Sequence, residues 1–115
     1  KNSDTDIYLG TGGGPEGVLA AAALDCLGGQ MQTRLVLSND DEVKRAKRLG
    51  ITDLNRKYNI ADMVKGDVMF CATGVTDGDM LKGINIRDNN TFEATTFALH
   101  KSQKTSKIIK NIVKQ

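Results

Sequence analysis

Residues 10–17, Gly-Thr-Gly-Gly-Gly-Pro-Glu-Gly, gather more chemically useful residue types than any other stretch of the chain. Seven of the twelve glycines fall between Gly10 and Gly29. A short apolar run precedes the segment and a helix-forming run follows it. The first N–H groups of a helix have no intrahelical partner, and the helix dipole adds positive potential there. A glycine-lined turn at that point lets a phosphate approach the backbone without meeting a Cβ. Gly12, Gly13 and Gly14 are the residues expected to line such a contact. A tight strand-to-helix connection needs one glycine for its backbone angles, and three in succession exceed that need.

Two ligand classes fit this turn. Gly12, Gly14 and Gly17 satisfy G-x-G-x-x-G, and Asp40 and Asp41 follow at the distance of the ribose-binding acid. A small dinucleotide-binding module is therefore one reading. Against it stands Glu16, which puts a carboxylate where a pyrophosphate would lie, and Pro15, which removes one N–H. Glu16 suits a ligand for Mn²⁺ or Mg²⁺, hard cations that share carboxylate and phosphate oxygens. A glutamate that only complements the helix dipole is the competing explanation. Residue types alone leave both open.

Other reactive side chains read as structural. His100, the only histidine, is followed by Lys101 and Ser102 and is expected at the surface. Cys26 and Cys71 lie in apolar runs and read as core. Asp77 and Asp79 flank Gly78 and read as turn residues rather than metal ligands.

The elements that must position these residues follow from pattern. Asp6–Leu9 reads as a short buried strand stopped by Gly10. A helix is expected over Pro15–Leu27, with Pro in its first turn and Gly28-Gly29 ending it. Met31–Leu37 reads as a strand. A helix over Asp40–Leu49 has Ser38 or Asn39 as N-cap, acids in its first turn and bases after. Residues 51–64 read as short helical turns, and Asp67–Thr73 as a buried strand. Ile84–Arg87 and Thr91–Leu99 read as a hairpin through 88–90. Ser106–Val113 has helical spacing but β-branched residues, so it stays ambiguous. This order implies one α/β domain, a mixed sheet layered with helices.

Composition narrows the function. At 115 residues with 39% hydrophobic and 26% charged residues, the chain is globular and has room for one domain. The longest apolar run, Val18–Leu24, is far short of a membrane span. No basic n-region followed by an apolar h-region opens these residues, so a signal peptide is not expected. Two distant cysteines make neither a zinc site nor a disulfide framework, so a reduced, cytoplasmic protein is expected. Residues 101–115 carry five lysines and no acid. Without Arg or aromatics that stretch reads as a solvated face, and neither nucleic acid nor a membrane is expected as a partner.

Asp6–Leu35, with Gly12-Gly13-Gly14-Pro15-Glu16-Gly17-Val18-Leu19-Ala20 at its centre, resembles the class II fructose-1,6-bisphosphatases of bacterial type. Asp67–Gly83 is similar to that family's A-T-G-x-T-x-G-x-L-x-G segment. The resemblance implies the layered α/β fold of the lithium-sensitive, metal-dependent sugar and inositol phosphatases. It implies hydrolysis of the 1-phosphate of fructose 1,6-bisphosphate, with sedoheptulose 1,7-bisphosphate as a further substrate. It implies Mn²⁺ or Mg²⁺, with Glu16 as a metal ligand and Gly13 as a backbone contact to the substrate. It also implies a homo-oligomer at full length, and it tilts Ser106–Val113 toward strand. Family members are much longer, and the chain resembles only their C-terminal portion. The remaining metal carboxylates lie upstream in the family, so residues 1–115 alone are expected to be inactive. The opening Lys1 is expected to reflect a piece of a longer chain.

Overall fold

A computed structural model describes residues 6–88 and 90–114. Among these residues three helices and six strands follow in the order α1 (Gly14–Leu27), β1 (Gln32–Arg34), α2 (Asp40–Arg48), β2 (Lys57–Asn59), α3 (Ile60–Met63), β3 (Met69–Thr73), β4 (Asn85–Arg87), β5 (Thr91–His100) and β6 (Thr105–Lys114). The α/β class with helices layered on sheet is the one expected. Each ladder among the described residues is antiparallel, so the parallel pairing that the expected mixed sheet implies is not found among them.

The larger sheet is organised by β5, whose β-branched and aromatic residues suit a pleated surface. On one side β5 pairs with β3 (Met69 opposite His100, Thr73 opposite Thr96) and with β4 (Asn85 opposite Glu93). On the other it pairs along its whole length with β6, from Thr91 opposite Lys114 to His100 opposite Thr105. The β4–β5 hairpin is the one expected through 88–90, and Asn90 takes the left-handed conformation. The tail is strand, not helix, because β5 offers it ten residues of ladder.

Local chemistry sets the helix ends. Pro15 sits in the first turn of α1, and Gly28 ends it at φ 70°, its N–H donating to the carbonyls of Leu24 and Asp25. In α2 the Asn39 side chain accepts the Glu42 N–H at 2.9 Å. The Glu42 carboxylate in turn accepts the Ser38 N–H at 2.6 Å. α1 packs on β3, β5 and α3.

Several expectations fail, most of them over burial. Residues 7–9 form no strand, and Tyr8 is 87% exposed. The strand expected over 31–37 shrinks to 32–34. The stretch 51–64 contains a strand, β2, before its one helical turn, because Thr33 finds Tyr58 as a ladder partner. β3 is not buried on both faces: Met69 is 73% exposed and Cys71 is exposed, so Cys71 is not core. Cys26 is half-buried. Among the described residues the buried apolar ones are Ala21, Ala46, Val68 and Leu99, with Thr95 as the buried polar group.

Directly opposed residues of antiparallel strands share a face, so the ladder registers divide the sheet. Thr95, Phe97 and Leu99 lie on the face that α1 covers in part, with Ile108 and Ile112 beyond its reach. The other face carries Met69, Cys71, Ile86, Phe92, Ile109 and Val113. The radius of gyration is 17.9 Å, against about 13 Å for a compact domain of this length.

Candidate active site

The glycine-rich turn leads directly into α1. Gly13 is its N-cap at φ −68° and ψ 155°, with no side chain capping the helix, and Gly14 is its first residue. The Gly17 N–H donates to the Gly13 carbonyl at 3.0 Å, which closes the first turn. Pro15 has no N–H, so the Gly14 and Glu16 N–H groups are left as the turn's free donors. Residues 14–16 and 18–20 are exposed, and burial of α1 begins at Ala21. The N-terminal half of the helix therefore projects past the sheet while its C-terminal half packs.

Glu16 and Gly13 are brought together. The Glu16 carboxylate folds back over the turn, and a Cβ on Gly13 would collide with its Oε2 and lie 3.2 Å from its Cδ. Glycine at 13 thus makes the room that the carboxylate occupies. Among the described residues no hydrogen bond or ion pair engages Glu16. A Cβ at Gly12 or Gly14 would meet nothing within 4 Å. The arrangement presents one unpaired, hard carboxylate beside free backbone donors at the positive end of a helix. It can share a divalent cation with a phosphate, the cation relieving the repulsion between the two anions. One carboxylate does not complete such a site, and among the described residues no group of three His, Cys, Asp or Glu could hold a metal ion.

The dinucleotide arrangement lacks its context. Its fingerprint requires a strand before the glycines and a parallel βαβ unit. Residues 7–9 are not strand, and β1 pairs antiparallel with β2. Asp40 and Asp41 open α2, where Asp41 meets Lys44 at 3.6 Å.

Asp77 does serve its turn. Its Oδ1 accepts the Gly83 N–H at 2.8 Å, and its Oδ2 lies 3.6 Å from Lys82 Nζ. The Gly83 N–H, then the Lys82 charge, hold its carboxyl below the usual range.

Sequence reasoning missed one polar cluster, at the far end of α1. His100 is not a plain surface residue. Its side chain is 20% exposed, and Nε2 lies 2.7 Å from Asp67 Oδ2. Ser102 donates to the same carboxylate twice, from its N–H at 3.1 Å and its Oγ–H at 2.7 Å. The Ser102 hydroxyl, followed by the His100 ring, holds the Asp67 carboxyl down to about 2. Asp67 and Ser102 both meet the same ring nitrogen, Ser102 Oγ at 3.2 Å, so no relay from serine through histidine to aspartate exists here. The signal lay in register: Met69 opposite His100 puts residue 67 beside the turn after β5.

The fold and the site together define an α/β chain that presents a carboxylate at a glycine-rich helix start. The family model described as bacterial fructose-1,6-bisphosphatase, glpX-encoded, matches residues 1–113, and the chain belongs to that family. Fructose-1,6-bisphosphatase class 2 of Haemophilus influenzae is 37% identical over 121 residues, covering 93% of this chain and 36% of the relative. In Escherichia coli K12, fructose-1,6-bisphosphatase 2 class 2 is 35% identical, covering 97% of this chain and 39% of the relative. Fructose-1,6-bisphosphatase 1 class 2 of the same strain is 34% identical, with 96% and 37% covered. The chain therefore spans between a third and two-fifths of the length of these relatives. Among the described residues no helix is long and apolar enough to cross a membrane.

Proposed function

We propose that this chain is the C-terminal portion of a metal-dependent fructose-1,6-bisphosphatase. In that enzyme it contributes Glu16 as one metal ligand and the backbone of Gly12, Gly13 and Gly14 as a surface for the substrate phosphate. The observation that carries the reading is the Glu16 carboxylate, folded over Gly13 at an uncapped helix N-terminus in a chain of this family.

The reaction is hydrolysis of the 1-phosphate of fructose 1,6-bisphosphate: water adds to phosphorus, the bond to the sugar oxygen breaks, and fructose 6-phosphate and phosphate leave. Sedoheptulose 1,7-bisphosphate is the second substrate of the same chemistry. A bound Mn²⁺ or Mg²⁺ supplies Lewis-acid stabilisation of phosphoryl charge. Glu16 fits that ion because its carboxylate is a hard oxygen donor with no protein partner of its own among the described residues. The free N–H groups of the first helical turn orient the phosphate, and Gly13 keeps the carboxylate's place clear. The further carboxylates such a site needs lie in the remainder of the enzyme. The same reading makes the enzyme cytoplasmic and a homo-oligomer.

The experiment is Mn²⁺-dependent phosphate release from fructose 1,6-bisphosphate, measured on residues 1–115 alone and on the full-length phosphatase. The expected result is turnover by the full-length protein and none by residues 1–115. Clear turnover by the short chain would sink the division of the site.

A further inference from the structure

The surface of α1 gives packing little by which to choose a rotation. Val18, Leu19, Ala20–Ala23, Leu24 and Leu27 ring the helix, and only Ala21 is fully buried. A helix that is apolar nearly all round has no single stripe to seat. Its rotation must then be set by directional contacts, and these sit at its C-terminal end. The Asp25 side chain, 17% exposed, receives Lys101 Nζ at 2.8 Å. The Cys26 thiol points at the Val68 carbonyl at 3.5 Å.

Lys101 is itself held. Its N–H donates to the Val68 carbonyl at 2.9 Å. The residues on either side of it, His100 and Ser102, are both bound to Asp67. Asp67 therefore fixes the start of the β5–β6 turn, that turn presents Lys101, and Lys101 holds Asp25. Glu16 stands nine residues earlier on the same helix, about 13.5 Å along the axis. A side-chain oxygen roughly 6 Å from a helix axis moves about 2 Å when the helix turns by 20°. Metal–ligand distances tolerate only about 0.2 Å. A small error in the rotation of α1 is thus large for coordination.

We propose that the Asp25–Lys101 pair is the positioning contact that aims Glu16 at the metal of the phosphatase site. This rests on Glu16 being a metal ligand. The pair is partly solvated, so its effect on stability is small; what it supplies is direction.

The test uses the full-length phosphatase with Mn²⁺ as the titrated metal. Lys101→Met and Asp25→Asn are expected to weaken Mn²⁺ binding to the substrate-free enzyme, read by calorimetric titration, and to raise the Mn²⁺ concentration for half-activation, each by roughly 3- to 30-fold, with KM for fructose 1,6-bisphosphate unchanged. Lys101→Arg, which keeps the charge, is expected to stay near wild type. The reversed pair, Asp25→Lys with Lys101→Asp, is expected to recover most of the loss. Wild-type Mn²⁺ activation in both single variants, or a reversed pair as impaired as they are, would overturn the proposal. Glu16→Gln in the same assay separates the two ideas. If it keeps a normal rate, the ligand reading fails and the positioning role falls with it. If it is inactive while Lys101→Met titrates normally, only the positioning role fails.

Discussion

At position 13 a single hydrogen in place of a methyl group leaves space for a carboxylate three residues on. Gly13 has ordinary extended backbone angles, so alanine is not strained there. The collision is with the far end of the Glu16 side chain, which can swing away. Gly13→Ala should therefore leave the fold nearly intact, costing at most about 1 kcal/mol as an N-cap change. In the full-length enzyme it should weaken Mn²⁺ activation by displacing Glu16. Thermal melts beside a metal titration check this, and a large loss of stability with normal metal activation would contradict it. Glu16 and Gly13 were legible in the sequence because glycines, proline and glutamate are adjacent there. Asp67, His100 and Ser102 were not, because 33 residues separate Asp67 from His100 and only the β3–β5 register brings them together.

Among the elements, helix ends and paired strands were read well where the chain supplies its own partner. Pro15 and Gly28 bracket α1, Asn39 caps α2, and β4, β5 and β6 pair within a short span of sequence. The reading failed where apolar pattern implied burial. Ile7, Leu9, Met69 and Cys71 have the character of core residues, yet no surface among the described residues covers them. The β5–β6 turn makes its own prediction. Asp67, which precedes β3 and clasps the start of that turn, has a carboxyl held down to about 2 by Ser102 and His100, against an ordinary value of 3.8. A depressed folded-state pKa contributes stability that is fully present above the unfolded value and fades as pH falls from about 4 through about 2. Asp67→Asn should therefore lower Tm at pH 6 and lose its disadvantage toward pH 2. Melts of both proteins across that range test it, and a Tm difference independent of pH would contradict the assigned role.

Among the described residues the larger sheet has one face partly covered by α1 and carries exposed apolar side chains on the other. Four apolar residues among the described ones are buried, and the radius of gyration of 17.9 Å exceeds that of a compact domain. These features agree with a chain that matches only 36–39% of its relatives' length. Composition could not show this, because apolar fraction and charge are those of an ordinary globular domain. If the chain brings one metal carboxylate to a phosphatase site, the metal dependence of the enzyme rests on Glu16. The most direct measurement is the Mn²⁺ dependence of phosphate release from fructose 1,6-bisphosphate by the full-length enzyme and its Glu16→Gln variant. The expected loss is larger than the roughly 10–100-fold that changing a metal ligand's hydrogen-bond partner costs, with Tm unchanged in the absence of metal. A variant that turns over at a near-normal rate, with an unaltered Mn²⁺ titration, would contradict it.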